Sequence, residues 1–250
     1  LILSPLLYQW IGMGGIFGLT GIFSVLAIFV VVYVVPAAPS LPPAQVSIRE
    51  ILAHGELMRL NFGVFALHLT QMAMFVVIPS ALIRFAQLPL AEHWKIYLPV
   101  VIASFVLMLP PIFIGEKRGK SKQVFVAAIA LLLLVQIGMW LALSQTQLHA
   151  AWLVGLLLAF FVAFNILEAS QPSLVSRIAP PGSKGTALGV YNTLQALGLF
   201  CGGALGGWLT QHVGGASVFV LGSALCVVWL IIAANMKNLP RRSQAQAAVV

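Results

Sequence analysis

The chain has 250 residues, of which 61% are hydrophobic and 7% charged, and its mean hydropathy is +1.05. A soluble domain carries roughly a quarter charged residues, so this composition excludes an ordinary soluble globule and points to an all-α polytopic membrane protein. The net charge of +8 does not indicate nucleic-acid binding, because the basic residues sit in short segments between apolar spans.

A spanning helix needs about 20 apolar residues. Leu1–Tyr8 reads as the tail of one span, and no charge appears before Arg49. With neither a starting Met nor a basic leader, the chain reads as lacking an N-terminal part. Ile11–Val35 is the first complete span and stops at Pro36. "PAAPSLPPAQ", residues 36–45, is a Pro-rich linker. The following "SIREILAHGEL" predicts a short amphipathic helix lying at a membrane surface. There Ser47 and Glu50 form a capping box, and Ile48, Ile51 and Leu52 make an apolar face. Six further spans are expected at 60–83, 96–115, 123–144, 150–174, 185–210 and 213–236. The expected organisation is therefore residues 1–35 ending one half, a linker over 36–59, a six-helix half over 60–236, and a tail over 237–250.

Of the 13 Lys and Arg residues, 11 fall in every second loop. They are Arg49, Arg59, Lys117, Arg118, Lys120, Lys122, Arg177, Lys184, Lys237, Arg241 and Arg242, against Arg84 and Lys95 on the opposite side. The excess predicts that these loops and the C-terminus are cytoplasmic.

Only five acids are present, all Glu, and Glu168 alone lies within a span. A carboxylate at mid-membrane costs on the order of 2.5–3.5 kcal/mol, so such a residue faces a bundle interior or a wet cavity. Asn165, Glu168 and Gln171 are three apart and share one broad stripe, with Pro172 favouring a bend beside them. The plainer reading is a snorkelling acid paired with Arg177. Nine residues separate the two, about 13 Å along a helix, which is too far for a direct pair.

His68, with Gln71 beside it, sits mid-span on a mixed aromatic and polar face and is a second candidate for proton relay or substrate contact. The competing reading is a histidine satisfied by a nearby carbonyl. Tyr191 and Gln195 share a face of the next-to-last span, with Asn192 adjoining, as cavity-lining candidates. Gly198, Gly202 and Gly206 recur every fourth residue, as do Gly203 and Gly207, a spacing that lets helices pack closely. Gln136 is alone in its span and reads as structural. Cys201 and Cys226 lie inside apolar spans and read as packing residues. No phosphate loop, metal-ligand spacing or nucleophile–base pattern is visible, so neither an enzyme nor a cofactor is expected.

The loop "IFIGEKRGKSK" resembles the loop motif of the major facilitator superfamily. Glu116 stands at the acidic position, Lys117 at the basic one, Gly119 at the second glycine and Lys120 at the next basic position. Ile112 replaces the first glycine and Ser121 a basic residue. Longer stretches, "SIREILAHGELMRLNFGVFALH", "AEHWKIYL" and residues 160–209, resemble the YajR-type branch of bacterial drug/proton antiporters in this superfamily.

The resemblance implies a twelve-helix fold of two six-helix halves in the bacterial inner membrane. This chain would hold the end of helix five and helices six to twelve. It also implies charge contacts at Glu116, Lys117, Gly119 and Lys120 that favour one conformation. It further implies two inverted three-helix repeats, in which the spans bearing His68 and Glu168 correspond and line the central cavity.

The expected activity is proton-coupled efflux of a small amphipathic compound by a monomer, with both halves required and protons, substrate and lipid as partners. The alternatives are a uniporter or proton symporter of a metabolite, a seven-helix receptor, and a non-transporting scaffold. A seven-helix receptor or photoreceptor is disfavoured because the last span has no Lys to bear a retinal and the chain has no Asp for the acidic triplet common after the third helix of receptors.

Overall fold

The computed structural model describes residues 3–36, 48–145, 149–180 and 182–237. Residues 37–45 of the Pro-rich linker, Ser47 of the expected capping box, and Arg241 and Arg242 of the tail lie outside the described residues. The described residues form eight α-helices and one short 3-10 turn, Leu90–Glu92, with no strand among them. The helices are α1 (Leu3–Tyr33), α2 (Ile48–Ala53), α3 (Gly55–Ala86), α4 (Trp94–Lys117), α5 (Ser121–Leu143), α6 (Ala150–Ile178), α7 (Lys184–His212) and α8 (Ala216–Ala234). The chain divides into two units, Leu1–Pro43 and Ala44–Val250.

In the first unit, the two expected segments are one element, α1, broken at Gly12. The break has φ 63° and ψ −176°, a backbone shape open to glycine and closed to most other residues.

In the second unit, α3 starts five residues before the span read from hydropathy. The reason is local: His54 Nδ1 accepts from the Leu57 backbone N–H at 3.4 Å and caps the helix there. The surface helix is correspondingly short. Of its expected apolar face only Ile51 is buried, while Ile48 and Leu52 are exposed. At the far end Gln87 adopts a left-handed conformation and its N–H closes onto the Leu82 carbonyl, ending α3. Pro172 does not end α6, which continues to Ile178.

Among the described residues, six helices are long and apolar enough to cross a membrane by length and composition: the 10–33 part of α1, then α3, α4 with the short turn before it, α5, α6 and α8. The sequence reading counted seven. The difference is α7, which has the required length but is diluted by its glycines, Asn192, Thr193, Gln195, Thr210 and Gln211.

Helix α3 is the core of the second unit. It packs most extensively on α7 and also on α8 and α6, while α5 joins α6 and α8, and α4 joins α6. The α3–α7 seam is close because α7 has no side chains there. A Cβ at Gly198 would lie 2.6 Å from the Phe65 carbonyl oxygen, one at Gly202 2.5 Å from that of Leu69, and one at Gly206 2.8 Å from Ala73 Cα. Gly203 meets only the Met72 side chain, and Gly207 faces open space.

The helices α3–α8 alternate in direction, and contacts between their ends show which ends lie together. Arg59 of α3 donates to the Asn235 carbonyl at 2.9 Å, and Lys122 of α5 donates to the Met236 carbonyl. Both carbonyls terminate α8, where two cations oppose the negative end of the helix dipole. The same end holds the termini of α4 and α6, joined by an ion pair between Glu116 and Arg177 at 2.7 Å.

Candidate functional site: a His–Gln–Glu cluster between three helices

His68 lies at the centre of α3 and is 4% exposed. Its Nδ1 is 2.9 Å from the Val64 carbonyl, one turn earlier. A carbonyl only accepts, so Nδ1 carries a hydrogen whatever the charge on the ring. In the neutral ring Nε2 is therefore an acceptor.

Gln195 on α7 meets that acceptor with its side-chain Nε2 at 2.7 Å. The same amide nitrogen is 3.5 Å from Glu168 Oε1 on α6. The second carboxylate oxygen, Oε2, is 3.5 Å from His68 Nε2. Three side chains from three helices thus converge on one point. The Gly198 notch sits one turn beyond Gln195 and against the His68 Cβ, at 3.3 Å from the position of an added Cβ, so close packing sets the approach of Gln195 to His68.

The unprotonated arrangement is incomplete. Glu168 Oε2 is buried and has no hydrogen-bond partner among the described residues. It lies 3.5 Å from Nε2 of His68, which in the neutral ring already accepts from Gln195. With a proton on Nε2 the contact with Oε2 is an ion pair, and Gln195 loses the acceptor it has in the neutral ring. The Glu168 side chain as a whole is 35% exposed.

The other polar candidates are placed differently. Tyr191, one turn before Gln195, is buried, and its hydroxyl has no hydrogen-bond partner among the described residues. Gln171 is fully buried, and neither atom of its amide has a partner among the described residues. Asn165 does not join the cluster: its Nδ2 donates to Ser104 Oγ on α4 at 2.8 Å, tying α6 to α4. Asn192 is exposed and Gln71 half-buried.

Phe164, not singled out in the sequence, packs edge-on against the His68 ring, with centroids 5.8 Å apart. Aromatic stacking continues from it through Phe160 to Phe75.

In the loop between α4 and α5, Gly119 takes φ 66°, which permits the tight turn. Glu116 reaches neither neighbouring basic residue. It pairs instead with Arg177 of α6, which also donates to Ser173 Oγ at 2.9 Å. Lys117 and Lys120 are exposed. Arg177, which the sequence reading placed too far from Glu168 for a direct pair, is held by Glu116.

A bundle of long apolar helices with a polar cluster at its centre is a transporter's arrangement, and comparison with known proteins fixes the family. The family model for the Major Facilitator Superfamily matches residues 1–202. The chain belongs to the major facilitator superfamily.

Its relatives include the inner membrane transport protein YajR of Escherichia coli (strain K12). That protein is 45% identical over 194 residues, covering 78% of this chain and 42% of the relative. A multidrug resistance protein, MdtH, of Aeromonas salmonicida (strain A449) is 27% identical over 188 residues, covering 75% of this chain and 44% of the relative. An uncharacterized transporter of Buchnera aphidicola is 26% identical over 182 residues, covering 73% of this chain and 45% of the relative.

The chain spans about half the length of the curated relatives it matches. This major facilitator chain is thus a multi-pass membrane protein of a family of transporters, not enzymes.

Proposed function

We propose that this chain contributes the proton-responsive half of a drug/proton antiporter that exports small amphipathic compounds by alternating access. The observation that carries the proposal is the contact of His68 with Glu168 across 3.5 Å, both within reach of Gln195. A protonatable pair at the middle of a bundle is a site whose charge changes on taking a proton, and coupling requires such a change to favour one conformation over another.

A proton entering from the membrane's acidic side goes to His68 Nε2 or Glu168 Oε2. Gln195 then loses its acceptor if Nε2 is the atom protonated, and its amide must rotate to present its oxygen. Because Gln195 lies on the helix that packs along the α3 seam, protonation changes what holds α7 to α3. Proton release on the opposite side restores the original bonds.

On this reading the segment works against a second half of similar size, as expected from twelve helices in two halves, and the active unit is a monomer. The end bearing Arg59, Lys117, Arg118, Lys120, Lys122, Arg177 and Lys237 faces the cytoplasm, following the positive-inside rule. The location is the bacterial inner membrane, supported by the name of the 45% identical relative. The Glu116–Arg177 pair, with Lys117, Gly119 and Lys120 in its turn, acts as a charge contact that favours one state.

The test uses a full-length protein carrying this segment, reconstituted in proteoliposomes with ethidium as the transported probe. Antiport predicts transport against the ethidium gradient when a pH gradient is imposed, and none when the gradient is collapsed with an ionophore. Transport of equal rate under both conditions would support the uniporter alternative instead.

A further inference from the structure

The outer face of α8 is apolar along its length: Val220, Val227, Val228 and Ile231 are all exposed. Beside it, α3 and α8 border a groove of 570 Å³ lined by Met58, Arg59, Phe62, Ile231, Ile232 and Asn235. The two helices run in opposite directions, so the lining is ordered by depth. Phe62, Ile231 and Ile232 lie deeper in the bundle, and Arg59 and Asn235 lie at the helix ends.

Basic residues collect at that rim. Arg59 and Lys122 bond to the end of α8, Lys237 follows it in the chain, and the acid Glu56 bonds there with them. It takes a hydrogen bond from Arg59 at 2.5 Å and another from the Lys237 backbone N–H at 3.4 Å. Arg59 and Lys122 use some of their donors on Glu56 and on the last carbonyls of α8. A guanidinium has five N–H groups and an ammonium three, so donors remain. The Arg59 side chain is 36% exposed beside the groove.

We propose that this groove binds one anionic phospholipid, its acyl chain between Phe62 and Ile231 and its phosphate at Arg59, with Lys122 and Lys237 adding charge. The polarity gradient of the groove matches that of a phospholipid: hydrocarbon at depth, then an anion at the level where helix ends meet the headgroups. A free phosphate would gain nothing from the apolar walls, and an uncharged detergent would gain nothing from the cations. The lipid would link the start of α3 to the end of α8 and reinforce a junction already held by Arg59. The inference does not depend on the transport reading.

The experiment is mass-resolved lipid retention by the purified chain in a neutral detergent, after addition of phosphatidylglycerol or phosphatidylcholine. Phosphatidylglycerol should remain as a single adduct with roughly tenfold preference, since each basic residue near the surface adds attraction. Ile231→Trp, which fills the groove and leaves the charges intact, should remove the adduct. Lys122→Gln should reduce the preference, with circular dichroism reporting that both variants keep their helices. Equal retention of the two lipids, an adduct unaffected by Ile231→Trp, or full displacement by glycerol phosphate would each overturn the proposal.

Discussion

Gly202→Leu will prevent α3 and α7 from packing as they do in the native chain, and it is expected to be the most destabilising single change in the bundle. The Cβ alone would lie 2.5 Å from the Leu69 carbonyl oxygen and 2.9 Å from Leu69 Cα. Both are backbone atoms at the centre of a 32-residue helix, so neither can turn aside as a side chain would. The helices must separate, which breaks the same contacts at Gly198 and Gly206. Overpacking in a core costs typically about 1–3 kcal/mol, and a clash with backbone belongs at or above the upper end.

Gly207→Leu is the control, because nothing lies within 4 Å of its Cβ position. Thermal unfolding in detergent should place the midpoint of Gly202→Leu well below the native one and that of Gly207→Leu close to it. Equal midpoints would mean that α7 does not use this face. The same substitution also moves Gln195, two turns earlier on α7, away from His68, so the fold and the site fail together.

Glu168→Gln is expected to remove the response of transport to pH while sparing the fold. The substitution preserves the size of the side chain. It replaces an atom that takes a proton with an amide that does not, so the charge at this position no longer changes with pH. The cluster is then held in a state like the protonated one. In a full-length protein carrying this segment, stimulation of ethidium transport by a pH gradient should fall by at least about tenfold, the usual range of a coupling free energy. Exchange of ethidium at equal pH on both sides should persist. His68→Gln should also weaken the pH response, but without neutralising Glu168. A Glu168→Gln variant with native gradient dependence would make Glu168 a structural acid.

Hydropathy located every helix of the bundle to within a few residues, because a spanning helix must be apolar for most of its length. It failed where helices are polar at their ends. Helix α3 begins at Gly55 in a turn containing Glu56 and Arg59, residues that depress hydropathy but are bonded to each other and to the end of α8. Helix α7 falls short of the apolarity expected of a span because its buried face is glycine and its other faces carry polar groups.

His68 and Glu168 each stood out as polar residues in apolar surroundings. Their contact was not legible: it depends on how α3, α6 and α7 are rotated about their axes. A three-residue step turns a helix by about 60° short of a full circle, so the stripe Asn165, Glu168, Gln171 fans over about 120°. That spread sends Asn165 to Ser104 on α4 while Glu168 points to α3 and α7. The partner of Glu116 was hidden for a similar reason. Lys117 and Arg118 adjoin it in sequence, but Arg177 is brought to it by the packing of α6 on α4.

The most direct test of coupling through the His68–Glu168 pair follows protons instead of drug. Proteoliposomes containing the full-length protein and an internal pH dye are loaded with ethidium and diluted into probe-free buffer of the same pH, without any imposed proton gradient. Antiport through this cluster predicts that outward ethidium movement drives protons in the opposite direction, and that Glu168→Gln abolishes the proton movement while ethidium still exchanges. Ethidium efflux with no proton movement in the native protein, or proton movement undiminished in Glu168→Gln, would contradict it.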